Sequence, residues 1–96
     1  MKKDTYVRIT KVAEKNPNSN GVTVKYWVEG ILIRDITVGD HIKMWRMRNI
    51  NYPTGRAGVF NTSVVISIEG NLVETENSTY RITKRSIPEK LKEGHG

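Results

Sequence analysis

The chain has no cysteine, which excludes disulfides, thiolate metal sites and cysteine nucleophiles. Aromatic residues make up only 7% of its 96 residues, and there are three prolines. No apolar run approaches the ~18 residues of a membrane-spanning helix. The opening residues, MKKDTYVRITK, contain no apolar stretch of signal-peptide length. The expectation is a soluble protein of the cytoplasm. Histidine is scarce as well: His41 lies beside a turn, His95 lies near the end, and neither stands at metal-ligand spacing. Carboxylates are scattered singly, and His41 neighbours Asp40 in sequence only. A Ser-His-Asp arrangement therefore has no support. Catalytic residues, bound metal and cofactor are not expected, and neither is an enzyme. The most telling shortage is local. Between Asp40 and Glu69 there is no acidic residue, while Lys43, Arg46, Arg48 and Arg56 are all positive.

What the chain does have is positive charge. A net charge of +6 on 11.0 kDa gives an isoelectric point near 9.8. Such a surface attracts polyanions: DNA, RNA, the acidic face of a protein or anionic lipid. The same charge also serves solubility. Ninety-six residues leave room for one core, expected over residues 1–87. The residues from Pro88 onward hold one large apolar side chain, Leu91, and predict a single turn or a disordered tail.

Hydrophobic periodicity is that of strands. Thr5 to Ala13 alternates Val7 and Ile9 with Arg8 and Thr10, and Val12 breaks the phase, predicting a bulge near Lys11. Asn16 to Gly21 is a dense turn signal. Val22, Val24, Tyr26 and Val28 then alternate with polar residues and Trp27, forming a hairpin with the first strand. Ile31 to Ile36 is either a third strand or the second one continuing past a bulge at Gly30. Strands follow over Ile42–Arg48, Phe60–Ile68, Leu72–Thr75 and Ser78–Thr83, with tight turns at Gly70-Asn71 and Glu76-Asn77. The expected core is Val24, Tyr26, Val28, Ile42, Met44, Val64, Ile66 and Ile68. Six or seven short strands at this spacing predict an all-β domain. That domain is a small antiparallel barrel of SH3-like or OB-like type, or a compact sandwich.

If Ile42 and Met44 point inward, Trp45 lies outside beside Lys43. A tryptophan among cations suits nucleic acid, with bases stacking on the ring and phosphates pairing with Lys or Arg. Alternatively, Trp45 and Met47 belong to a second apolar layer with the cations at its rim. Arg46 and Arg48 would continue the inner face, which is costly for an unpaired charge. They must sit where the barrel opens, pair with acids, or shift register through a bulge. The loop Asn49 to Gly58 is long for a hairpin and carries Tyr52 and Arg56, as functional loops often do. Lys43, Trp45, Arg46, Arg48, Tyr52 and Arg56 are thus the candidate site. Asn61-Thr62-Ser63 and Asn77-Ser78-Thr79 match the glycosylation sequon but read better as turn and strand residues.

The runs VGDHIKMWR, GVFNTSVVISIEGN and VETENSTYRI resemble small β-barrel proteins encoded by phages and other mobile elements, over Ile36 to Ile82. The resemblance implies an accessory, regulatory or host-interfering role, and it carries no site residues with it. It adds a second functional expectation beside nucleic-acid binding: a module or inhibitor that docks on an acidic or nucleic-acid-binding surface of a partner protein.

Overall fold

The structure, a computed structural model, describes residues 1–14 and 25–88. It contains β1 (Tyr6–Glu14), β2 (Trp27–Leu32), β3 (His41–Asn49), β4 (Gly58–Glu69), β5 (Leu72–Thr75) and β6 (Ser78–Lys84). Each strand pairs antiparallel with the next, and β6 returns to pair with β1, closing a six-stranded barrel. The chain is therefore an all-β antiparallel barrel. Closure leaves most strand edges paired, a sound solution for a domain this small. The turn expected at Asn16–Gly21, the core residue Val24 and the tail beyond Pro88 lie outside the described residues.

Alternation places the core where sequence spacing indicates on β1, β2 and the start of β3. Val7, Ile9, Val28, Leu32, Ile42 and Met44 are all buried in one cluster, with Tyr26 and Phe60 packed against it. The register of β1 against β6 shifts between Lys11 and Ala13, as the broken phase at Val12 predicts. Gly30 does not end β2. The strand runs on through Ile31 and Leu32, and its register against β3 shifts between Glu29 and Gly30. Residues 33–40 then leave the strand. Ile36 is buried, and its backbone N–H donates to the carbonyl of Met1.

The expected inner face of β4 is corrected. Val65 is 1% exposed, whereas Ile66 is 47% and Ile68 44% exposed; Val64 is half-buried. The reason is an inserted residue. His41 faces Val64 while Lys43 faces Asn61, so two steps along β3 match three along β4. Thr62 is buried there, and its Oγ1 accepts a hydrogen bond from the Ile42 N–H at 3.1 Å. Because side chains alternate faces, that extra residue exchanges the faces of Val65 and Ile66, and a second register shift, against β5 between Val65 and Ser67, follows before Ile68.

Candidate functional site

Trp45 shows which way β3 faces. Ile42 and Met44 fill the barrel, so Lys43 and Trp45 project outward, and the indole is 45% exposed. Trp45 therefore stands outside beside Lys43. Its cross-strand partners are Ile31 on β2 and Val59 on β4, which is also exposed. Ile31, Trp45 and Val59 thus form an apolar row across three strands, with exposed Lys43 two residues along β3. The strands close tightly here: a Cβ on Gly30 would lie 2.1 Å from the Trp45 carbonyl oxygen.

Arg48 does not join that face as a free cation. Gly30 pairs with Arg46 and Glu29 with Arg48, which makes Met47 an extra residue in β3. The bulge turns Arg48 outward, opposite Glu29. The Glu29 carboxylate, 1% exposed, accepts from Arg48 Nε at 2.9 Å, Arg8 Nε at 2.7 Å and the Tyr6 hydroxyl at 2.9 Å. Both guanidinium groups also sit over the Trp27 ring, 4.3 Å for Arg8 and 5.5 Å for Arg48. Burial pushes the Glu29 carboxyl up, but hydrogen bonds from Arg48, Arg8 and Tyr6 outweigh it and hold the group below its ordinary value. Burial, followed by the bond to Glu29, pushes the Tyr6 phenol up to about 12.

Arg46 takes another route. Its Nε donates to the Arg56 carbonyl at 3.2 Å and its Nη2 to the Ala57 carbonyl at 3.3 Å. Gly58 makes room for it, since a Cβ there would lie 2.4 Å from Arg46 Nη2. Arg48 Nη1 likewise donates to the Pro53 carbonyl at 3.2 Å. Both arginines therefore hold the segment between β3 and β4 by its backbone. Asn49 Oδ1 accepts from the N–H groups of Asn51 and Tyr52, each at 2.9 Å, and the Arg56 N–H donates to the Met47 carbonyl at 2.8 Å. The long loop is well tied down. It presents Tyr52, exposed, with the Arg56 guanidinium 4.4 Å from the centre of its ring.

The sequence-derived residues thus separate by role. Lys43 and Trp45 share the outer face of β3, and Tyr52 and Arg56 stack on the loop. Arg46 and Arg48 brace that loop. Arg8, Trp27 and Glu29 were missed, because only the register of β2 between β1 and β3 brings them together. His41 Nδ1 lies 2.7 Å from the Thr62 carbonyl, so its ring is engaged by backbone. Among the described residues, no group of three or more His, Asp or Glu could hold a metal ion, and no helix is long and apolar enough to cross a membrane. Compared with known proteins, the chain matches no protein family, no curated protein and no solved structure.

Proposed function

We propose that the chain is a small cytoplasmic binding module that holds nucleic acid on the outer face of β2–β4 and the adjoining loop. In this reading Trp45 and Tyr52 stack against bases, and Lys43 and Arg56 contact phosphates. Arg46 and Arg48 keep the loop in place. One observation carries the reading: an indole 45% exposed on an outer sheet face, within a stretch that has cations and no acid between Asp40 and Glu69. Glu29, on the neighbouring strand β2, is buried beneath two arginines and offers no exposed negative charge to repel phosphate. Fluorescence anisotropy with labelled DNA and RNA at low salt tests it directly. Binding that weakens steeply as salt rises supports the proposal, because phosphate contacts release counterions. An absence of binding at low salt overturns it.

The apolar row Ile31–Trp45–Val59 favours one other reading. Contiguous apolar surface flanked by cations also fits the core and rim of a protein interface. On that reading the module docks on an acidic or nucleic-acid-binding surface of a partner protein, in the host-interfering role that its resemblance to phage and mobile-element barrels implies. Recovery of a defined partner from nuclease-treated lysate, with loss on Trp45→Ala, separates it from the first.

A further inference from the structure

We propose that the polynucleotide held on this face is single-stranded, an inference that rests on the nucleic-acid reading above. The first ground is the setting of Trp45. Its ring lies in a row with Ile31 and Val59, on strands spaced ~4.8 Å apart within a closed barrel. The major groove of a duplex is ~12 Å wide and takes a helix or a two-stranded ribbon. A ring flanked on both sides by sheet cannot enter it. Against a duplex, Trp45 would meet only sugar and phosphate, whose charge an indole does not pair. An unpaired base has a free π-face, and stacking on an exposed ring is how such bases are held.

The second ground is the pose of Arg56. Reading base edges in a groove needs an extended side chain, and Arg56 is instead laid over Tyr52 at 4.4 Å. The pair makes a flat, positively charged platform, suited to a stacked base and its phosphate. The two platforms are also suitably placed along one strand. Tyr52 is bonded back to Asn49 through the backbone, and Asn49 stands four residues along β3 from Trp45. With Met47 bulged, that is three regular steps of ~3.3 Å, or about 10 Å, a distance a few nucleotides cover. Lys43 flanks Trp45 on the side away from the loop, so cations border the track at both ends.

The test uses the full chain and a labelled DNA strand of about 20 nucleotides, longer than the ~4–16 nucleotides one small barrel occupies. The same strand annealed to its complement is the comparison. The single strand should bind at least about tenfold tighter at roughly 50 mM salt. Trp45→Ala should weaken single-strand binding about five- to 150-fold, with Trp45→Phe restoring most of it, and leave duplex binding unchanged. Tyr52→Ala, at an equally exposed position, should act in the same direction, so the test does not hang on one variant. Duplex bound as tightly as single strand overturns this inference and leaves the nucleic-acid reading standing. So does equal weakening of both by Trp45→Ala. No binding to either form overturns both.

Discussion

Arg48 and Glu29 form an ion pair at 2.9 Å in which the carboxylate is almost wholly buried. A cation that sequence spacing offers to a ligand is thus occupied within the protein, together with Arg8. Removing the acid leaves two guanidinium groups facing each other over Trp27.

Glu29→Ala should therefore destabilise the barrel by about 3 kcal/mol. That is the lower end for breaking a buried pair, because both arginines keep some contact with water. Urea unfolding gives the value. A loss below about 1 kcal/mol, typical of surface pairs, would show that the carboxylate contributes little.

Stability should also depend on pH at both extremes. The folded Glu29 carboxyl lies below its ordinary 4.5, so its contribution is complete above that value and is lost as pH falls through the depressed one. The Tyr6 phenol moves the other way, from 10.0 to about 12, so its contribution holds below pH 10 and disappears as pH rises through 12. Burial raises Tyr26 and Tyr80 as well, and they share the alkaline limb. Melting temperature against pH should fall on both sides of a plateau. Glu29→Ala should flatten the acid limb, and Tyr6→Phe should lessen the alkaline one. An acid limb unchanged in Glu29→Ala would assign it to other carboxylates.

Much of the fold was legible because alternation is a local signal. Val7 with Ile9, and Ile42 with Met44, announce their shared face within three residues. Even the break at Val12 announces a bulge. The bulge at Met47 was legible only as one of three ways to place Arg46 and Arg48, and the one near Thr62 not at all, since each depends on which residue of a neighbouring strand lies opposite. Those two insertions account for the main differences: Arg48 turned onto Glu29, and Val65 rather than Ile66 in the core. The exposed Trp45 beside Lys43 could be read from β3 alone. Its row with Ile31 and Val59, and the cluster of Arg8, Trp27 and Glu29, required the register of three strands.

If the chain binds nucleic acid as proposed, the salt dependence of that binding should sort the cations by role. Lys43→Ala and Arg56→Ala should each lower the slope of log affinity against log salt by about 0.7–0.9, one phosphate contact apiece. Arg46→Ala and Arg48→Ala should reduce affinity with little change of slope, because their guanidinium groups brace carbonyls of the loop. Slope losses near one unit at Arg46 or Arg48 would make them phosphate contacts instead.

The two faces of β4 should respond oppositely to truncation. Val65→Ala removes buried methyl groups and should cost roughly 1–4 kcal/mol. Ile66→Ala should stay within about 0.5 kcal/mol, as expected at a largely solvated position. The reverse order in chemical denaturation would mean that the inserted residue near Thr62 is misplaced.

Gly30 links the stability of the barrel to its outer face. A methyl group there would sit 2.1 Å from the carbonyl oxygen of Trp45 and 3.0 Å from the Cα of Arg46, both backbone atoms. No side-chain rotation can relieve that contact, so β2 and β3 must part. The displaced segment carries Trp45 outward and Arg46 towards the loop, which places stability and binding on the same two residues. Gly30→Ala should therefore cost about 2–3 kcal/mol, the upper part of the range typical of overpacking. It should also weaken the proposed nucleic-acid binding even though residue 30 is buried. Denaturation and anisotropy on one preparation check both effects. Unchanged binding in a folded Gly30→Ala variant would show that the position of Trp45 does not depend on the β2–β3 contact.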